Sequence, residues 1–552
     1  MRITGNHLIL ISTIFLLTSF LVGGSLENIP YDWTNQYGRA TWNGSALDNF
    51  DITSGPLIFD RAIGIYPYRL GSLVEARTVI LSGSALPDFS APPDTGVITS
   101  KFFYQKGDYN LDQLDVEFKS SDQHSYLELN GFKRSYSGHL GQYQHPSGLT
   151  VPAQQSYRID YRSRNSTERD LEFSLGHFIS ESGLLDSNSL GYYQEKITSS
   201  GLQYRKPFGP IRGEFYLGEM QQRRRSISPV RDTTFTQEII RNRVFGKLDI
   251  PVSENNVFIT AEANQQAAPE IRRSWYDFAG GFAVGKFKLM GGMSIIGGST
   301  KPKFSLGFNH PTKSGQIELF IAHYNERIEI AFLDQTTDKS VQWFNAALNA
   351  SIILKNINFS VNNHLYQAGN YHEFVLDPGA ETFSIISQAG YLWNSQFGFT
   401  ANLMDDLFFS VNYAHNEYNL VTLSNGIRDH LKIDLDGKLD FILRDRLDLF
   451  FSLGIQGWLN RESSLRYDQF QNIRYNNYLI EEKLNNVWPV SLELRAVVSS
   501  VTIYYKVNNL LYELAPLFNN SGSDQSYQIT NELSFPSQPS QINFGVEWDF
   551  QN

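Results

Sequence analysis

The chain has 552 residues, 41% hydrophobic and 14% aromatic, a formal net charge of −11 and no cysteine. The missing cysteine excludes disulfides, thiol catalysis, cysteine zinc sites and a lipoprotein anchor together, and the acidic balance is no nucleic-acid footprint. A mean hydropathy of −0.31 is too polar for a bundle of membrane helices yet ordinary for a transmembrane barrel with a wet lumen, while 39 Phe and 29 Tyr suit aromatic girdles at two interfaces, or a secreted β-sandwich.

The first residues read as an export signal. Arg2 supplies a positive start, and Leu8 to Val22 is apolar except for Ser12, Thr13, Thr18 and Ser19. Val22 and Gly24 place small residues where the cleaving enzyme needs them, so residues 1–24 are the expected signal peptide. The alternative is an uncleaved anchor helix, but the stretch falls short of the ~20 residues that a span requires. Past residue 25 no long apolar run appears. A membrane crossing would have to use strands, the only other element that satisfies its backbone in lipid.

From Ile98 onward the chain repeats segments of roughly ten residues with alternating polarity, the pattern of a transmembrane β-barrel. In Leu431 to Leu443, the residues Leu431, Ile433, Leu435, Leu439, Phe441 and Leu443 share one face, and Lys432, Asp434, Asp436, Lys438 and Asp440 the other. Leu447, Leu449, Phe451, Leu453 and Ile455 oppose Asp448, Ser452, Gly454 and Gln456 in the same way. Tight links at Lys355-Asn356, Arg444-Asp445-Arg446 and Ser499-Ser500 alternate with long polar loops at Ser135 to Pro152, Gly369 to Ala380, Asn460 to Glu482 and Ala515 to Ser540. In bacterial barrels the short turns are periplasmic and the long loops external, and a count on this basis gives about 22 antiparallel strands. It takes Gly297 to Lys301 as a short outer loop and Ser384 to Leu403 as one long strand. A β-propeller or stacked sandwich also has many short strands, but these run long and are apolar on one face only.

The last strand puts Ile542, Phe544, Val546, Trp548 and Phe550 on one face. Asn543, Gly545, Trp548 and Phe550 resemble the β-signal by which outer-membrane barrels address the barrel-assembly machinery, with Gln551 and Asn552 as a small departure after the final aromatic. Upstream, Val74, Glu75, Val79, Ile80, Gly83, Gly96, Val97 and Ile98 resemble the end of the plug domain in TonB-dependent receptors; the aromatic-glycine pair expected between Gly83 and Gly96 is absent, and no TonB box is recognisable. The strand count and Val507-Asn508-Asn509-Leu510 in the penultimate strand look like that family, and the terminal strand also looks like that of putative porins. The resemblance implies a plug-like segment at 25–97 that is short for the family, a barrel at 98–552, and an outer-membrane transport protein, receptor-like or a passive porin. The partners it implies are outer-membrane lipid, the barrel-assembly machinery, a solute and a TonB-like energy transducer, with no nucleic acid and no cofactor.

Arg223, Arg224 and Arg225, with Arg231, Arg241, Arg243 and Arg272 nearby, could attract anions or contact lipopolysaccharide phosphates through guanidinium forks. The simpler reading, a solvated outer loop over Gln221 to Val230, is favoured. The His residues, among them His364, His415 and His430, show no metal-ligand spacing, and no catalytic site is expected, although Ser, His and acidic residues can meet across strands whatever their spacing in sequence. Asp434, Asp436 and Asp440 could line an ion path, or simply belong to a polar inner face. A surface-binding scaffold is the alternative function, on the strength of Arg461 to Asn476, rich in Arg, Asn, Gln and Tyr as recognition loops are.

Overall fold

The computed structural model describes residues 41–42, 45–46, 96–135, 153–164, 170–183, 191–252, 255–328, 339–377, 382–404, 406–423, 427–439, 447–468, 470–471, 473–479, 483–518 and 540–551. The expected signal peptide, the plug-like positions Val74, Glu75, Val79, Ile80 and Gly83, and the link Arg444-Asp445-Arg446 lie outside the described residues. Gly96, Val97 and Ile98 lie inside. Gly96 takes a φ of 84° and donates its N–H to Ser121 O at 2.8 Å, which turns the chain into the first strand.

The barrel opens with β1 (Ile98–Gly107), β2 (Leu111–Ser121), β3 (Ser125–Ser135), β4 (Ala153–Arg164), β5 (Asp170–Gly183), β6 (Tyr192–Phe208), β7 (Ile211–Ser228) and β8 (Thr233–Val252). It continues through β9 (Asn255–Ala267), β10 (Arg272–Val284), β11 (Phe287–Ile296), β12 (Ser299–Thr312), β13 (Gly315–Arg327), β14 (Ser340–Leu354) and β15 (Ile357–Leu376). The last are β16 (Phe383–Met404), β17 (Leu407–Tyr418), β18 (Ile427–Lys438), β19 (Asp448–Glu462), β20 (Val490–Val498), β21 (Val501–Asn508) and β22 (Gln541–Gln551). These 22 strands form one closed antiparallel barrel. Closure occurs where expected, β22 on β1, with Val546 opposite Tyr104, Trp548 opposite Phe102 and Phe550 opposite Ser100. An open edge there would leave backbone groups unsatisfied in lipid.

The strand period sorts side chains to two solvents. On β8, Ile240, Val244 and Leu248 are exposed on the outer face, whereas Arg241, Arg243 and Phe245 are buried on the inner one. The same inversion recurs around the ring, with Leu202, Phe215, Leu217, Phe278, Leu319 and Ile321 exposed and Gln105, Glu128 and Arg224 buried. A closed barrel with an apolar outer belt and a polar interior is an outer-membrane architecture.

Connections on the side of the chain ends are tight, as at Lys355-Asn356 and Ser499-Ser500, where Lys355 and Ser499 take positive φ. Gly297 and Gly298 alone join β11 to β12, both at positive φ, and Ser299 to Lys301 already pair with β11, so the expected outer loop is shorter than its sequence range. The strand expected over Ser384 to Leu403 is β16. Other boundaries are corrected. β15 passes a bulge between Ala368 and Tyr371 and stays paired to Leu376, so most of Gly369 to Ala380 is strand. β19 runs to Glu462, β18 begins at Ile427 instead of Leu431, while Asp440 to Leu443 lie outside the described residues, and β21 ends at Asn508, after which α1 (Leu510–Phe518) takes up Leu510 and Ala515. The physical reason is common to most of these: at ~3.3 Å per residue β16 is about 70 Å long, more than twice the ~30 Å of hydrocarbon, and alternation continues above the membrane where polarity no longer marks its limit.

Candidate functional site

The outer half of the lumen carries a basic and aromatic wall. The run Arg223 to Arg225 is not the expected loop; it lies within β7, where alternate residues face opposite ways. Arg224 is fully buried, 3.3 Å from Glu195 and with its guanidinium 4.8 Å from the Tyr193 ring centre. Arg223 and Arg225 are exposed on the other face, Arg223 pairing with Glu238 at 3.0 Å. Farther round, Arg241, Arg273 and Arg327 place guanidinium carbons 5.1, 5.8 and 4.6 Å from the Trp275 ring centre. Such contacts contribute about 0.5–2 kcal/mol each, more as water is excluded. Arg273 also donates to Gln266 Oε1 at 2.8 Å and Ile328 O at 2.6 Å, and Arg243 forks onto Glu262 at 2.9 and 3.0 Å. Arg272 is exposed.

A lid crosses the mouth of this lumen. The β19–β20 connection contributes two short strands, Leu465–Asp468 and Ile473–Asn476, which pair with each other. The second also pairs in parallel with β15, Phe374 opposite Tyr475 and Val375 opposite Asn476. At its tip Asp468 meets Arg231 at 3.2 Å, and Phe470 packs on Phe235 with ring centres 6.0 Å apart, under the Arg231 guanidinium at 5.0 Å. Because β8, which carries Phe235, stands half-way round the ladder from β19, these contacts carry the connection across the opening. Leu465 and Ile473 share one buried apolar cluster with Trp343, Tyr371, Phe374 and Ala322.

Glu373 ties the neighbouring strand β16 to two connections at this end. Its buried carboxylate accepts from Gln388 Nε2 at 2.9 Å, Thr422 Oγ1 at 2.5 Å and Tyr478 Oη at 2.6 Å. Burial, followed by the hydrogen bond to Glu373, pushes the Tyr478 phenol up to about 12. Arg461 to Asn476, expected as an outward recognition loop, is thus partly strand β19 and partly lid. Its composition pointed to recognition; the signal for inward folding was the apolar set Leu465, Phe470 and Ile473 within it. Glu373 and Trp275 had no sequence signal of their own.

The remaining candidates fall into structural roles. Asp434 accepts from Ser410 Oγ at 3.2 Å and Asp436 from Ser452 Oγ, which ties neighbouring strands; Asp440 lies outside the described residues. His364 stacks with Tyr366, His415 bonds Asp429 at 2.7 Å, and His430 is buried. Among the described residues no group of three or more His, Asp or Glu could hold a metal ion. In the terminal strand, Asn543 is buried, and Gly545 lies under Tyr504, whose ring stacks on Phe103 at 5.6 Å. A Cβ at Gly545 would collide with the Tyr504 ring and its Oη. Trp548 and Phe550 stack on the outer face at 4.3 Å, and Trp548 Nε1 donates to Ser500 Oγ at 3.1 Å.

No protein-family model matches the chain, and no curated protein does. Solved structures do. The ferric enterobactin receptor PfeA of Pseudomonas aeruginosa aligns with a TM-score of 0.61 at 13% identity, over 84% of this chain and 81% of that one. The copper transporter OprC gives 0.59 at 10% identity, over 84% and 82%. The iron transporter FrpB of Neisseria meningitidis gives 0.60 at 9% identity, over 82% and 81%. At these identities the likeness establishes the fold: the chain is a large closed barrel built like those of outer-membrane receptors and transporters.

Proposed function

We propose that this protein is a gated outer-membrane transporter of the TonB-dependent receptor type, in which a solute enters beneath the lid and meets the basic and aromatic wall around Trp275. The observation that carries this reading is the lid: a barrel of 22 strands encloses a lumen too wide for its own side chains to fill, and a connection paired with β15 and packed on the opposite wall at Phe235 closes that lumen from outside. Residues 25–97 would occupy the lumen and couple it to an energy transducer. The wall suits an anionic solute, as guanidinium groups prefer. The scaffold reading loses its support, since Arg461 to Asn476 turns inward.

Planar-bilayer conductance of the mature chain, and of a variant lacking residues 25–95, tests the reading. A closed full-length barrel and a conducting deletion variant are expected, together with binding of the full-length protein to a TonB-like periplasmic domain. A steadily open full-length channel that binds no such domain would refute it.

A further inference from the structure

The lipid-facing surface of β6 to β9 carries a hollow. Gly213, Gly246 and Ala261 stand among Phe208, Phe215 and Leu248, and the missing side chains leave about 390 Å³. The Phe208 ring lies against Gly213, where a Cβ would meet its Cε2 at 2.9 Å, whereas a Cβ on Gly246 would meet nothing within 4 Å. A second hollow of about 320 Å³ follows on the same strands beside Leu202, Leu217 and Val244. Its rim is polar, with Glu219 paired in register to Ser200 and Asn242. From Gly213 to Glu219 the trough runs ~20 Å at ~3.3 Å per residue.

Two lysines line the periplasmic end, and Lys247 is paired with Asp249 at 3.0 Å. Lys206, half-buried and opposite Gly213 in the ladder, holds its ammonium 4.9 Å from the Phe208 ring centre, just before the turn at Gly209-Pro210. Among the described residues it has no carboxylate partner. Its lumen-side neighbour Glu214 accepts instead from Gln203 at 2.7 Å. We propose that the trough binds one anionic phospholipid of the periplasmic leaflet, with its phosphate on Lys206 and an acyl chain along Gly213, Gly246 and Ala261. Charge complementarity selects the headgroup, and the apolar trough orders a chain that bulk lipid would leave free.

Native mass spectrometry of the full-length protein in detergent, with added palmitoyl-oleoyl phosphatidylglycerol or phosphatidylethanolamine, tests this. The wild type should retain one phosphatidylglycerol in preference to phosphatidylethanolamine. Lys206→Gln should lower that retention about fivefold, since a lysine at a membrane surface contributes ~1 kcal/mol. Gly246→Leu, which the open space at Gly246 accommodates, should lower retention of both lipids while heat-modifiable migration stays wild-type. Equal retention of the two lipids by the wild type, or unchanged retention in either variant, would leave annular lipid only and overturn the proposal.

Discussion

Replacing Glu373 by Ala removes the acceptor shared by Gln388, Thr422 and Tyr478. Of the three donors only Tyr478 stands on the lid, and a hydrogen bond to a charged group contributes ~1.5–3 kcal/mol. At 1.4 kcal/mol per factor of ten, losing it multiplies the open-lid population about 10- to 140-fold. The absence of native cysteine makes this measurable. A single Cys at Ala322, fully buried in the cluster that holds Leu465 and Ile473, is labelled from outside with an impermeant maleimide, and the rate is compared in the presence and absence of Glu373→Ala. A folded variant labelled within twofold of the parent would refute the fastening role. The Tyr478 pKa is raised to about 12, so its contribution is fully present below the ordinary phenol value of ~10 and is lost as pH rises toward 12; the urea midpoint should fall more over that interval in the parent than in Glu373→Ala.

Other expectations follow from single contacts. Arg231→Ala removes the pair with Asp468 and the cover on Phe470; as Arg231 is half-exposed, the loss is at most ~1 kcal/mol, seen as up to about fivefold faster labelling at position 322. Gly545→Ala drives a methyl into Tyr504 and should cost about 1–3 kcal/mol, read as a lower urea midpoint that Tyr504→Ala partly restores; an unchanged midpoint refutes the packing argument. Trp548→Ala with Phe550→Ala removes the stacked pair at the periplasmic edge, and should leave export intact while heat-modifiable folded barrel disappears from the outer membrane. At the turn before β3, the N–H groups of His124 and Ser125 hold the Asp122 carboxyl below its usual value. The stabilisation is present above the ordinary aspartate pKa and lost as pH falls through the depressed one, so the thermal stabilities of wild type and Asp122→Ala should converge in acid.

Much of the barrel was legible because a strand in lipid must alternate strictly. Ile98 and Phe550 lie in the two closing strands as expected, and β16 follows from an unbroken pattern over Ser384 to Leu403. Strand ends were less legible. Above the bilayer both faces of a strand meet water or other loops, so Arg223 to Arg225 and Gly369 to Leu376 read as loop although the ladder continues through them.

The lid was illegible for a different reason. Its contacts join residues far apart in sequence, Arg231 with Asp468 and Phe374 with Tyr475, and nothing local marks which wall a long connection will meet. What sequence does carry is a conflict: Leu465, Phe470 and Ile473 are costly on a loop that stays in water, and Glu373 is costly inside a protein unless several donors reach it. The two costs cancel only when the connection folds inward, since the apolar residues then find Trp343 and Phe374 while Tyr478 arrives at Glu373. Stability of the closed state therefore depends on both halves together, and loosening either one should open the lid, which is why the Glu373 and Arg231 variants are expected to act on the same labelling rate from opposite walls of the barrel.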